Sequence, residues 1–223
     1  MLPAGLIQVA GIHDAEEARQ VIDAGVRWLG FPLRLPVHAE DLSEAEAATV
    51  IAALPDEVQA VLITYLARAD EIIALCSALA VKVVQLHGEV SLAELEALRR
   101  AAPGLAIIRS LVVGLQDSAA LQVRVDQESP LVDAFITDTY DPTTGASGAT
   151  GRTHDWQISR QLVARSPRPV ILAGGLTPEN VAAAIAAVQP CGVDVHTGVE
   201  DDTGRKCPHR LRRFVREATR GFR

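Results

Sequence analysis

Strand-like and helix-like hydrophobic patterns alternate regularly along this chain. Eight short apolar runs, rich in β-branched residues, are each followed by a longer segment with helical periodicity. Strict alternation predicts parallel strands joined by crossover helices, and eight such units in 223 residues favour a single α/β-class (β/α)8 TIM barrel. A doubly wound open sheet is the alternative, but it usually has fewer strands. The predicted strands lie at 5–11, 26–31, 58–64, 82–86, 105–110, 132–137, 169–173 and 192–195.

Capping residues mark several helix starts. Asp14, Ser43 and Ser91 are each followed three residues later by a glutamate, which is the spacing of a capping box. The other helices are predicted at 68–80, 117–125, from 155, at 178–188 and at 208–219. Because no Pro/Gly/Ser-rich linker divides the chain, we interpret residues 1–223 as one domain. The segment 139–154, rich in glycine and threonine, is predicted to be a flexible loop at the catalytic face.

Composition narrows the functional classes. The formal net charge is −7 and the only basic run lies in the last helical segment, so we expect no nucleic-acid partner. No apolar run reaches about 18 residues, so we expect no membrane partner, and no basic-then-apolar leader opens the chain. Three cysteines without CxxC spacing indicate reduced thiols and a cytoplasmic location.

The strand ends are where a barrel of this class carries its functional groups. Strand seven is followed by Gly174 and Gly175, and strand eight by His196, Thr197 and Gly198. Loops at these two positions commonly bind phosphate, since glycine lets backbone amides approach an anion and a helix N-terminus favours negative charge. Tight turns without a ligand are the alternative. Two such loops in the expected positions favour a phosphate site.

A carboxyl group ends strand six. Asp138 in FITDTYD could act as a general acid if burial raises its pKa. It could equally cap the loop that follows, as aspartates in Asx turns do. Position alone does not separate the two interpretations.

Five segments resemble motifs of the phosphoribosylanthranilate isomerase family and occur in that family's order. The resemblance implies a (β/α)8 barrel of tryptophan biosynthesis. Such an enzyme converts N-(5-phosphoribosyl)anthranilate into its 1-deoxyribulose 5-phosphate isomer, an Amadori rearrangement, without a metal or an organic cofactor. The segments are VVQLHGE (83–89), DAFITDT (133–139), GATGRTHDW (148–156), LAGGLTPENV (172–181) and GVDVHTGVE (192–200).

The same resemblance assigns roles to individual residues. Asp138 matches the family's general acid, and the loops after strands seven and eight match its site for a phosphorylated sugar. Gln85, His87 and Asp194 also match, and Asp194 could face the substrate's amine. His87 could instead form a structural hydrogen bond, and Asp194 could instead cap the end of its strand. The expected assembly is a monomer or a homodimer.

The first strand departs from the family pattern. The family's base is a cysteine in a K-x-C-G-I segment, whereas QVAGI places Ala10 there, and a methyl group cannot accept a proton. His13 lies just past the strand end and is the candidate replacement base, because an imidazole titrates near neutral pH. The alternative interpretation is that His13 is simply an exposed residue beside the helix cap Asp14. Two other hypotheses would explain Ala10. It could be a change made to trap a ligand, or the chain could be a paralogue with altered or no turnover on another phosphorylated sugar.

A second departure follows strand two. The family has a Ser-Pro-Arg-Tyr-like segment whose arginine pairs with the anthranilate carboxylate, whereas this chain has FPLRLPVHAEDLS. Arg34 is the candidate clamp, since a guanidinium can hold a carboxylate in bidentate fashion, but it lies earlier than the family pattern and a surface position is equally compatible. In the strand-eight loop, Thr197 keeps a hydroxyl and His196 adds a cation where the family has serines. A trapping mutation would not rewrite a loop, so the paralogue is favoured over it.

Overall fold

The structure is a computed structural model that describes residues 2–36, 40–139 and 153–223. Within these residues eight parallel strands close into a barrel in chain order, and the last strand pairs with the first. The predicted (β/α)8 fold is therefore confirmed. The strands are β1 (Leu6–Ala10), β2 (Trp28–Leu33), β3 (Gln59–Thr64), β4 (Val83–Leu86), β5 (Ala106–Val113), β6 (Ala134–Thr139), β7 (Val170–Leu172) and β8 (Gly192–Val195).

Each strand is followed by a helix that packs on the outside of the barrel. A short 3-10 turn at Thr197–Val199 lies between β8 and the last helix. None of the described helices is both long and apolar enough to span a membrane. The helices are α1 (Ala15–Asp23), α2 (Glu44–Ala52), α3 (Ala69–Ala78), α4 (Leu92–Ala101), α5 (Ser118–Glu128), α6 (Trp156–Arg165), α7 (Val181–Val188) and α8 (Pro208–Gly221).

The predicted caps form, but only the cap at Ser43 is a full capping box. The side chain of Asp14 accepts a hydrogen bond from the amide of Glu17, and Ser43 forms a full capping box with Glu46. Ser91 also accepts from the amide of Glu94. However, the carboxylate of Glu94 accepts from the amide of Ala69 at 2.7 Å, so it ties the start of α3 to α4.

The start of α7 differs from the predicted one. We predicted a helix from residue 178, but α7 begins at Val181, and residues 178–180 form a turn. The amide side chain of Asn180 stabilises that turn: its Oδ1 accepts from the amide of Thr177 and its Nδ2 donates to the carbonyl of Gly175. Of the predicted loop at 139–154, residues 140–152 lie outside the described part of the chain.

The core has two layers. Alternate side chains of each strand point into the barrel, and the others pack against the helices. The outer layer is the larger, as in other barrels of this class. The inner apolar cluster consists of Leu6, Ala10, Val61, Ile63, Val83, Ile108, Ala134, Ile136, Ile171 and Ala173. Buried polar side chains of the same strands, including Gln8, Gln85 and Asp194, add to the interior near the C-terminal mouth.

Candidate active site

A cavity of about 300 Å³ opens at the C-terminal mouth of the barrel. Its wall includes Ala10 from β1, Tyr65 from the end of β3 and Ala173 from the end of β7. The structure thus gathers all the sequence-predicted site residues except Arg34 around one space. Those on the wall are His13, Gln85, His87, Asp138, Gly174, Gly175, Asp194, His196, Thr197 and Gly198.

Asp138 is buried at the end of β6. Its Oδ1 accepts a hydrogen bond of 2.8 Å from the amide of Thr139. Burial raises the pKa of Asp138 to about 7, against the opposing effect of that hydrogen bond. A carboxyl group with such a pKa is partly protonated at neutral pH, as a general acid must be.

A second buried carboxyl group, Asp194, lies on the wall of the same cavity. Burial and the charge of Asp138 raise its pKa to about 7, against the opposing effects of Gln8 and the charge of Lys206. Two neighbouring buried carboxyl groups disfavour simultaneous ionisation. The site can therefore hold a proton near neutral pH.

A row of polar side chains crosses the barrel from β1 to Asp138. Gln8 Nε2 donates to Gln85 Oε1 at 2.8 Å, and Gln85 Nε2 lies 2.7 Å from His87 Nε2. His87 Nδ1 lies 3.7 Å from Asp138 Oδ2. Burial lowers the pKa of His87 to about 4, so its ring is neutral. Sequence reasoning missed Gln8, although its position two residues before Ala10 places it on the same inward face of β1.

The loops after β7 and β8 fit closely together. Gly174 has a φ of +95° and Gly175 a φ of +61°, a region that favours glycine. A Cβ on Gly174 would lie 2.2 Å from Thr139 Oγ1, and one on Gly198 would lie 1.8 Å from the carbonyl oxygen of Leu176. No larger residue fits at Gly174 or Gly198 without a shift of the neighbouring backbone or side chain.

Two histidines lie near Ala10, and each contacts a glutamate. The ring of His196 lies against Gly11, where an added Cβ would be 2.0 Å from its Nε2. The same Nε2 lies 3.3 Å from Glu200 Oε1, and Glu200 also pairs with the buried Lys206. This arrangement places a polar ring beside the position of the family's thiol.

His13 makes the second such contact. Its amide and its Nδ1 both donate to Glu17 Oε2, at 2.8 and 2.9 Å, and its Nε2 lies 3.3 Å from Asp41 Oδ1. Glu17 is only 1% exposed and also accepts from the amide of Lys206 and contacts Arg205. His13 is consequently held at the cavity edge rather than extended into solvent.

Arg34 lies outside the described wall of the cavity. Its side chain is 56% exposed and pairs with Glu44 of α2. Its backbone is in the left-handed region, with a φ of +58°. The structure does not bring this side chain to the residues at the barrel mouth, because Glu44 holds the guanidinium on the outer surface.

The described residues contain no group of three or more histidine, cysteine or acidic side chains placed to hold a metal ion.

The fold and site together define a (β/α)8-barrel enzyme with buried carboxyl and imidazole groups beside closely packed glycine loops. The model of the family described as N-(5'phosphoribosyl)anthranilate (PRA) isomerase matches residues 7–217. The chain thus belongs to the phosphoribosylanthranilate isomerase family, whose members are isomerases of the intramolecular oxidoreductase class in tryptophan biosynthesis.

Individual relatives agree with this assignment. N-(5'-phosphoribosyl)anthranilate isomerase 2 of Methanosarcina mazei is 37% identical over 218 residues, which cover 97% of this chain and 95% of that protein. The crystal structure of the isomerase from Thermotoga maritima has a TM-score of 0.81 and 27% identity, covering 96% of this chain and 98% of the other. The fold is shared with phosphoribosyl anthranilate isomerase in complex with reduced 1-(o-carboxyphenylamino)-1-deoxyribulose 5-phosphate, at a TM-score of 0.79 and 24% identity over 96% and 98% of the chains.

Proposed function

We propose that this chain catalyses the Amadori rearrangement of N-(5'-phosphoribosyl)anthranilate, with Asp138 as general acid and His13 as the base in place of the absent thiol. The observation that carries the proposal is the buried Asp138, whose pKa of about 7 suits proton donation. It lines one cavity with the glycine loops after β7 and β8. A phosphorylated sugar is the ligand that such a mouth would bind.

The reaction begins with ring opening. Asp138 Oδ2 gives its proton to the ribose ring oxygen, because Oδ1 is already bonded to the amide of Thr139. The C1–oxygen bond breaks, and the lone pair of the amine nitrogen forms the C1=N double bond of a protonated Schiff base. A positioned acid of this kind contributes roughly 10²–10⁴ in rate.

The second step removes the proton from C2. We assign it to His13 Nε2, since donation from Nδ1 to the carboxylate of Glu17 leaves the lone pair on Nε2. The electrons of the C2–H bond form a C1=C2 double bond, and those of the C1=N bond return to nitrogen, which gives an enolamine. Glu17 and Asp41 stabilise the imidazolium that forms. The Asp138 carboxylate then takes the C2 hydroxyl proton and the His13 imidazolium gives its proton to C1, which yields the ketone and restores both groups.

The remaining cavity residues would bind the substrate. Gly174, Gly175 and Gly198 supply backbone amides for the phosphate, Thr197 supplies a hydroxyl, and His196 adds a polar ring held by Glu200. Gln85, His87 and Asp194 face the sugar and amine end of the cavity. A cytoplasmic location and a monomeric or homodimeric state stay predictions.

The residues at the end of β1 and just after β2 favour a second candidate function. Ala10 provides no proton acceptor, and Arg34 is held on the surface by Glu44. A paralogue that binds another phosphorylated sugar, with altered or no turnover, would account for both observations. The retained glycine loops would then bind the phosphate without supporting this rearrangement.

The test is consumption of N-(5'-phosphoribosyl)anthranilate by the pure protein, followed by fluorescence. We expect measurable turnover by the natural chain, and a higher rate for Ala10→Cys because a thiol regains the position of the family's base. Ala10→Ser is the matched control, since it has a similar size and a far weaker base. Absence of turnover in the natural chain and in Ala10→Cys, with retained binding of a phosphorylated sugar, would favour the paralogue.

A further inference from the structure

We propose that Gln8 and Gln85 hold His87 as a neutral imidazole with its proton on Nδ1. In that form His87 is a positioning residue, which donates a hydrogen bond to Asp138 once the acid has lost its proton. The effect on catalysis rests on the proposed acid role of Asp138. The protonation of the ring is a separate property of the free protein.

The direction of the hydrogen-bond row fixes the tautomer. Gln8 Nε2 donates to Gln85 Oε1 at 2.8 Å, which turns Gln85 Nε2 towards His87. An amide nitrogen donates and does not accept. His87 Nε2, 2.7 Å away, must therefore be the acceptor, and the single ring proton lies on Nδ1.

The other ring nitrogen of His87, Nδ1, points towards the proposed acid Asp138. Nδ1 has no hydrogen-bond partner among the described residues and lies 3.7 Å from Asp138 Oδ2. Thr139 already occupies Oδ1, so Oδ2 is the atom that gives up the proton. A separation of 3.7 Å is longer than a hydrogen bond. Catalytic contacts in free enzymes are often long and shorten when charge develops, as it would on Oδ2 here.

The backbone around His87 is held independently of this row. Arg109 is fully buried and donates from Nη1 to the carbonyls of Leu86 and Gly88, at 2.9 and 2.7 Å, which flank His87 on both sides. The ring of Tyr65 lies 5.5 Å from the His87 ring, centroid to centroid. A histidine with only a structural role would be expected to satisfy both ring nitrogens. Here one nitrogen is bonded and the other faces the proposed acid.

The first experiment needs no substrate. In the full chain labelled with ¹⁵N-histidine, the ring-nitrogen shifts of His87 should show a protonated Nδ1 and an unprotonated Nε2 at pH 7 to 8. The spectrum of His87→Asn identifies the signals. A proton on Nε2, or an imidazolium, would overturn the proposal whether or not the protein turns over N-(5'-phosphoribosyl)anthranilate. Gln85→Leu should shift the signals towards a mixture of both tautomers.

The second experiment measures the catalytic consequence. Hydrogen bonds to charged groups correspond to roughly a 10- to 100-fold effect, so Gln85→Leu should lower kcat by about tenfold or more. His87→Asn keeps an N–H donor close to the Nδ1 position, so it should retain clearly more activity than His87→Leu. Equal kcat for these two variants would show that the donor has no part in catalysis. If the natural chain has no turnover, the proposed function fails, and the ring-nitrogen shifts still decide the tautomer.

Discussion

The two sides of the barrel mouth differ in how closely they follow the family pattern. The acid side, which we define as the ends of β6, β7 and β8, keeps Asp138, Gly174, Gly175 and Gly198 where the family motifs predict them. The base side, defined as the end of β1 and the loop after β2, has lost the thiol and carries a different loop. Both sides line one cavity, so the same fold supports a retained half and a changed half.

The difference separates binding from proton abstraction. The acid side combines a phosphate-type loop pair with a carboxyl group whose pKa burial raises to about 7. On the base side, a methyl group occupies the position of the thiol, and His13 lies nearby beside Glu17. In the proposed mechanism, phosphate binding and ring opening depend on the acid side. Removal of the C2 proton depends on the base side.

The largest effect should come from the acid side. We expect Asp138→Asn to lower turnover by about 10³–10⁴, because the amide cannot give a proton to the ring oxygen. The affinity for a phosphorylated product analogue should change little, since the phosphate loops are untouched. Steady-state kinetics and titration calorimetry on the same preparation measure the two quantities. A large loss of binding without a selective loss of turnover would contradict the acid role.

The fold was predictable because its signals are local and repeated. Capping residues such as Asp14 and Ser43 mark helix starts, and each alternates with an apolar strand. The start of α7 was not predictable from Thr177 and Pro178, since the side chain of Asn180 stabilises a turn there. The redirected carboxylate of Glu94 was missed for a similar reason: its partner, the amide of Ala69, is distant in sequence.

The site was predictable to the extent that it follows strand ends. Asp138, His87 and the glycine loops could be placed at the mouth from barrel geometry alone. The contribution of Gln8 could not, since its role depends on a partner 77 residues away in sequence, Gln85. The outward position of Arg34 was equally hidden, because it depends on a contact with Glu44 in the following helix.

A smaller effect should distinguish His13 on the base side from His196 on the acid side. His13→Gln should lower kcat by about 10², since an amide keeps the size of the ring but cannot take a proton. His196→Gln should act mainly on KM, because its ring belongs to the proposed phosphate loop. Kinetics of both variants against the natural chain test the assignment. A loss of kcat in His196→Gln with none in His13→Gln would exchange the two roles.

The smallest effect should come from Arg34. We expect Arg34→Ala to leave the KM for N-(5'-phosphoribosyl)anthranilate and kcat nearly unchanged, since the guanidinium pairs with Glu44 on the surface, where solvent weakens such a pair. Glu44→Ala is the matched control, because it breaks the same contact and leaves the arginine in place. If Arg34→Ala alone raises KM by about tenfold, as loss of a charged hydrogen bond would, then Arg34 reaches the substrate carboxylate during turnover. The base side would in that case be closer to the family pattern than the free structure indicates.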